Sequence, residues 1–275
     1  MLRASLIFSA VCLSGAAGVL YAIADNAQTT GAVASPKQNY RFESQLRPAI
    51  LTEPNRETEG RIGNETAPVV FLTETYKSNE RRWSGTAFLL QAPSGQVYIV
   101  TNRHVCIGDK DAAKEPTLYI LRQDQSEAFA TVMLIASENS DLCLLRAPEA
   151  LKKNRKPLTL EKKDPELLSR IRIFGHPRAR SLERFYGEVM WSAKEDPRFT
   201  DGALFPDGRP FLFMYATAHS EPGSSGSPVL NDNGKVVGVV FATADLEGHT
   251  LFIPVTEVNK LITQHESKGK KAGGK

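Results

Sequence analysis

Three residues far apart in the chain, His104, Asp141 and Ser225, have the side chains that together perform acyl transfer. A serine hydroxyl is a weak nucleophile until a base takes its proton and fixed donors receive the oxyanion that forms. Ser225 lies in Gly223-Ser224-Ser225-Gly226-Ser227-Pro228, a G-x-S-G-x-P pattern. Its glycines permit a tight turn that leaves room for a substrate carbonyl near the amide N–H groups of Gly223 and Ser225. Alone, the same stretch also reads as a Gly/Ser turn between two strands. His104 follows the apolar run Val97-Tyr98-Ile99-Val100 within Thr101-Asn102-Arg103-His104-Val105. Its imidazole has an intrinsic pKa suited to accepting that proton and later giving it to a leaving amine. Asp141 opens the run Leu142-Cys143-Leu144-Leu145, and an ionised carboxylate there would orient the imidazole and stabilise its charged form.

The order His104, Asp141, Ser225 matches one of three known orders for such a triad, the chymotrypsin-type one. With these motifs in place the sequence resembles the trypsin-like serine proteases, most closely their bacterial Deg-type branch. The signatures T-N-x-H-V, D-L-A-L-L, P-G-N-S-G-G-P and F-A-I-P-V of that branch all have counterparts here, across about residues 65 to 262. The resemblance implies an all-β fold of two six-stranded antiparallel β-barrels with a C-terminal helix, a protein or peptide substrate, and no cofactor. It places His219, six residues before Ser225, at the base of the primary specificity pocket, either to favour acidic or polar side chains or simply to hydrogen-bond inside the wall. It places Phe241, Ala242 and Thr243 along that wall, where an extended peptide would pair. Val240 stands where relatives specific for glutamate carry histidine. No His/Cys/Asp/Glu cluster has metal-ligand spacing, so no catalytic metal is expected. His176 and His249 sit in Gly-His turns and read as surface residues, as does His265.

Three features depart from the family. Ser224 replaces the aspartate that pairs with a newly cut N-terminus in pancreatic-type relatives, so the oxyanion loop must be held another way. Ser227 replaces the usual second glycine. The sequence after the terminal helix leaves no room for the peptide-binding PDZ module of Deg-type proteases.

The elements that must position these residues follow from pattern. Short apolar runs separated by turn residues every ten or so positions suggest barrels: a first over residues 65–150, and a second, with the terminal helix, over 151–265. Pro93-Ser94-Gly95-Gln96 and Asn233-Gly234 mark hairpin turns. The charged stretch Pro148 to Leu168 reads as a solvated connector between barrels. Thr256 is positioned to cap a helix from Glu257 to about His265, with Val258, Leu261 and Ile262 at helical spacing. Residues 266–275 read as a basic flexible tail, and residues 25–64, rich in polar residues and proline, as a linker or arm.

Length and charge bound the rest. The 275 residues suffice for two barrels, and a net charge of +3 gives no case for nucleic acid as a partner. Residues 1–24 carry one early arginine, a long apolar run and Ala22-Ile23-Ala24, as a secretory signal peptide does. An uncleaved membrane anchor fits the same run, and either places the catalytic part in the periplasm or outside the cell. Beyond the leader only Cys106 and Cys143 remain, each two residues past a triad member. If His104 and Asp141 meet, a disulfide between these cysteines is within reach, closing a loop worth roughly 3–4 kcal/mol on the chain-entropy model. Two buried free thiols are the alternative.

Two other functions remain open on sequence alone. One is a protease-fold protein that binds a partner with little or no catalytic activity; the intact triad weighs against it. The other is an α/β-hydrolase esterase, which needs G-x-S-x-G and a histidine after the serine; Ser227 occupies the last glycine position.

Overall fold

The computed structural model describes residues 56–77, 80–107, 117–123, 127–192, 212–243 and 249–272. The leader and most of the arm lie outside the described residues. Where the arm ends, a helix α1 (Arg56–Thr66) leads through a short 3-10 turn into the first strand.

The first sheet holds β1 (Val70–Lys77), β2 (Glu80–Gln91), β3 (Val97–Thr101), β4 (Thr117–Gln123), β5 (Glu127–Thr131), β6 (Met133–Ala136), β7 (Cys143–Arg146) and the two-residue β8 (Leu158–Thr159). Its hydrogen-bonded order is β5-β4-β1-β2-β3-β7-β6, with β8 pairing parallel to β2. Six strands were expected and eight appear for two reasons. Val132 bends one long strand into β5 and β6, and the connector supplies β8. Because β5 and β6 are joined through that one residue, the two ends of the path meet, although the ladder itself is a half-barrel. At the bend the Arg146 N–H donates to the Val132 carbonyl (2.9 Å).

The second sheet closes completely, in the order β10-β11-β14-β13-β12-β9. Its strands are β9 (Arg170–Gly175), β10 (Glu183–Ser192), β11 (Met214–His219), β12 (Pro228–Leu230), β13 (Val236–Thr243) and β14 (His249–Pro254). Closure removes strand edges that would otherwise be open to pairing with other chains. Phe71, Phe88, Leu89, Ile99 and Leu144 fill the first core; Ile171, Ile173, Val189, Val229 and Phe252 fill the second.

The charged connector is more structured than its composition suggests. It contains a helix α3 (Glu149–Asn154) that buries Leu151 completely. It then pairs with the first sheet through β8 and bridges the second through Leu160 and Val236.

The terminal helix α4 runs over Val255–Ala272, about seven residues beyond the expected end and into the stretch read as a tail. Val255, Val258, Leu261 and Ile262 are its buried face. Its N-terminus is capped from outside: Asp164 accepts from the Thr256 N–H and from the Thr256 hydroxyl, both at 3.0 Å. Thr256 is therefore the capped residue and not the cap, because a carboxylate from the connector satisfies the orphan donor and complements the helix dipole. Further along, Glu266 accepts from Ser94 Oγ (2.5 Å) and Tyr98 OH (3.1 Å) on the first sheet. Burial, then the Glu266 charge, pushes the Tyr98 phenol up to about 12.

Candidate active site

His104 sits on a one-turn helix α2 (Arg103–Ile107) just after the end of β3, and Asp141 lies two residues before the start of β7. Strands β3 and β7 are neighbours, with Thr101 opposite Cys143, so the register of one antiparallel pair delivers the two residues to the same end of the sheet. Asp141 Oδ2 lies 2.5 Å from His104 Nδ1, and Asp141 Oδ1 accepts from the His104 backbone N–H at 2.8 Å. The buried Asn102 amide donates to the Asp141 carbonyl (2.8 Å), tying the histidine loop to the strand start a second time. The His104 side chain is 46 % exposed and that of Asp141 13 %. Partial withdrawal from water opposes charge on the ring, but the Asp141 carboxylate, by its charge and its hydrogen bond, outweighs it. The His104 pKa is accordingly raised above its ordinary value.

The two cysteines follow the same register. Their sulfurs are 2.15 Å apart and their Cα atoms 6.6 Å apart, and both residues are fully buried.

Ser225 lies in the loop between β11 and β12. Gly223 and Gly226 have φ of +97° and +90°, values at which a Cβ is strained. Space forbids one as well: at Gly226 it would lie 1.9 Å from the Thr86 carbonyl, and at Gly223 2.7 Å from the Arg178 nitrogen and the His176 carbonyl. The loop folds on itself through Ser224 N–H to the Glu221 carbonyl and Ser227 N–H to the Ser224 carbonyl, both 2.9 Å. Neither the Gly223 N–H nor the Ser225 N–H donates to an acceptor among the described residues.

The residue that joins this loop to the first sheet is Thr86 in β2, which sequence reading treated only as part of a strand. Its N–H donates to the Ser225 carbonyl (2.7 Å) and its hydroxyl to the Gly223 carbonyl (2.9 Å). That hydroxyl also accepts from the His176 N–H (2.9 Å), and the Thr86 carbonyl accepts from the Thr101 hydroxyl (2.7 Å). The neighbouring Gly85 is equally constrained: a Cβ there would meet Val105, the residue after His104, at 2.8 Å and the Ser225 carbonyl at 2.9 Å. Val105, next to His104, and the Ser225 carbonyl thus crowd the same point of β2.

The Ser225 hydroxyl points elsewhere than expected. It donates to the Phe241 carbonyl (3.3 Å) and makes no hydrogen bond to the imidazole. Phe241 packs edge-on against Phe213, ring centroids 5.8 Å apart. Strand β12 begins at Pro228, opposite Val239, so Phe241 to Thr243 extend beyond it; Ala242 and Thr243 pair with β14 and Phe241 sits at the irregularity between Val240 and Ala242. The Thr243 hydroxyl meets Ser220 Oγ at 3.1 Å.

His219 is 45 % exposed, its ring 5.5 Å from that of Phe185 and its Nε2 3.3 Å from Glu221 Oε1. His176, read as a surface residue, is buried. Its Nδ1 lies 2.9 Å from the Arg180 carbonyl, and burial lowers its pKa. The turn signal was right, but the turn packs beneath the Ser225 loop. His249 is half-buried, with Nδ1 2.5 Å from the Tyr215 hydroxyl. Ser227 is fully buried, its hydroxyl without a hydrogen-bond partner among the described residues. Gly175 makes the space, since a Cβ there would overlap Ser227 Oγ.

Comparison with known proteins bears on the family and the fold. The family model of the trypsin-like peptidase domain matches residues 85–239, more than half of the chain. An HtrA-like serine protease of Staphylococcus aureus strain bovine RF122 / ET3-1 is 26 % identical over 215 residues, and so is that of strain MRSA252. In both cases the match covers 76 % of this chain and 26 % of the relative, so the chain spans about a quarter of the curated relatives' length. Among solved structures, the serine endoprotease from Yersinia pestis superposes with a TM-score of 0.58 at 17 % identity, covering 76 % of this chain and 67 % of that one. The Rv3671c protease from M. tuberculosis in its active form gives 0.57 at 18 %, covering 75 % and 84 %. At such identity these structures speak to the fold alone. The sequence match is what decides membership, and by it the chain belongs to the trypsin-like peptidase domain family.

Proposed function

We propose that the protein is an exported serine endopeptidase that hydrolyses peptide bonds through Ser225, His104 and Asp141. The observation that carries the reading is the double contact of the Asp141 carboxylate with His104, at the ring and at the backbone. It occupies Nδ1 and so leaves Nε2 as the ring nitrogen that would act as the base. In the reaction, Ser225 Oγ attacks the scissile carbonyl while His104 Nε2 takes its proton. The oxyanion is received by the Gly223 and Ser225 N–H groups, and His104 returns the proton to the leaving amine. A water activated by His104 then hydrolyses the acyl-enzyme and restores Ser225. An extended peptide adds to the edge at Phe241, Ala242 and Thr243, and His219 faces its side chain before the cut. For the serine to act, its hydroxyl leaves the Phe241 carbonyl by rotation about χ1 to another staggered position. Catalytic hydrogen bonds that tighten only with substrate bound are common.

Export rests on the leader sequence and on the paired cysteines, which we assign as a disulfide; their Cα separation of 6.6 Å is within the range bridges adopt. The hydroxyl's bond to Phe241 favours a second reading, a protease-fold binding protein that cuts slowly or not at all. Hydrolysis of an unstructured protein substrate separates the two. The endopeptidase reading expects cleavage by the wild type and none by Ser225→Ala; equal residual rates in both would establish the binding protein.

A further inference from the structure

Ser224 occupies the position from which an acidic side chain would anchor the oxyanion loop, and its hydroxyl is used locally, accepting from the Glu221 N–H at 3.3 Å. The carboxylate nearest the loop is Glu221, and three cationic or ionisable groups converge on it. Arg178 Nε is 2.8 Å from Oε2, Arg180 reaches the same oxygen at 3.2 Å, and His219 Nε2 is 3.3 Å from Oε1. Arg178 is also joined to the loop through its backbone, its N–H donating to the Pro222 carbonyl at 2.6 Å. A trans peptide holds its C=O and N–H on opposite sides. Fixing the Pro222 oxygen on Arg178 therefore aims the Gly223 N–H of the same peptide away from that turn.

The conformation that makes this bond possible is unfavourable by itself. Arg178 and Ala179 have φ of +51° and +56°, a left-handed pair that is unfavourable for residues carrying a Cβ. Such conformations persist where surrounding contacts over-determine them, and here the contacts include the Arg178 N–H bond to the Pro222 carbonyl, the Ala179 N–H bond to the His176 carbonyl and the ion pair across to Glu221.

We propose that Arg178 and Glu221 are positioning residues for catalysis, clamping the Pro222–Gly223 peptide in its oxyanion-binding orientation in place of a buried acid at position 224. The inference rests on the endopeptidase reading and adds to it how the loop is held. The Arg178 side chain is 65 % exposed and that of Glu221 22 %, so the clamp acts by selecting one loop conformation more than by adding stability.

The test uses the full chain with Arg178→Gly, Arg178→Lys and Glu221→Gln. Glycine at position 178 relieves the left-handed strain, so thermal stability is expected to hold or rise while kcat on a peptide substrate falls about 5- to 20-fold with KM little changed. Affinity for a peptide aldehyde, whose adduct with Ser225 carries the oxyanion, should fall by a similar factor. Glu221→Gln should do the same, and Arg178→Lys should recover most of the loss. Unchanged kcat in Arg178→Gly, or a loss confined to KM, overturns the clamp while leaving the endopeptidase reading intact. A wild type that neither cleaves nor binds the aldehyde overturns both.

Discussion

Asp141 grips His104 at two points, the ring Nδ1 at 2.5 Å and the backbone N–H at 2.8 Å. One carboxylate thus fixes the ring's tautomer and the start of the helix that carries it. It also raises the imidazole pKa, and since the base must be neutral to accept a proton, activity should rise with pH through that raised value. The acid limb of kcat/KM is expected above 6.5, the ordinary histidine value. Asp141→Asn should move the limb down and lower kcat by about 10³- to 10⁴-fold. An unshifted limb in that variant would show that the carboxylate does not tune the ring.

The same shift has a stability consequence of definite sign. A folded-state pKa above the unfolded one contributes stability below pH 6.5 that is lost as pH rises through the folded value. The Tm difference between wild type and His104→Ala should therefore shrink between mildly acidic and alkaline pH, as thermal melts at several pH values would reveal.

Thr86→Val keeps the shape of a fully buried side chain but removes the hydroxyl that serves His176 and Gly223. Leaving those two backbone groups unsatisfied should cost about 1–3 kcal/mol, or several degrees in Tm. Turnover should fall beyond what stability explains, because the Gly223 carbonyl loses its tether. Calorimetry paired with steady-state kinetics distinguishes the two effects.

Gly223→Ala places a Cβ at φ +97° against the Arg178 nitrogen and the His176 carbonyl. The peptide must shift, and a displaced oxyanion donor should lower kcat by about 10²- to 10³-fold. A variant with wild-type kcat would remove Gly223 from the oxyanion site.

Replacing Cys106 and Cys143 together by alanine opens a loop with a sequence separation of 37. The expected destabilisation is about 3–4 kcal/mol. Alkylation of both thiols in unreduced mature protein would contradict the bridge.

Much of this site is legible in the sequence because its parts are local. An apolar strand ending in Thr101-Asn102-Arg103-His104, another opening at Asp141, and a Gly-Ser loop before Pro228 each announce themselves, and the order of the three suggests the fold. What stayed hidden depends on contacts between distant segments. Nothing in Gly85-Thr86-Ala87 indicates that the threonine carries four bonds to the serine loop, the histidine turn and β3. His176 looks exposed in its Gly-His-Pro turn until the loop that covers it is placed. The Arg178–Glu221 pair spans two loops, and the connector's charges conceal the buried Leu151 and the β8 pairing. Helix α4 outran its expected end because a Lys/Gly-rich composition says tail, whereas the Glu266 contacts with Ser94 and Tyr98 secure it to the first sheet.

The central claim is that Ser225 is a nucleophile activated by His104. Treating the full chain with a fluorophosphonate and mapping the adduct by mass spectrometry tests it most directly. The account predicts one phosphonyl group on Ser225, forming with a rate that rises through the His104 pKa and collapsing in His104→Ala. An unmodified Ser225 in folded wild-type protein, or labelling that His104→Ala leaves undiminished, would contradict it.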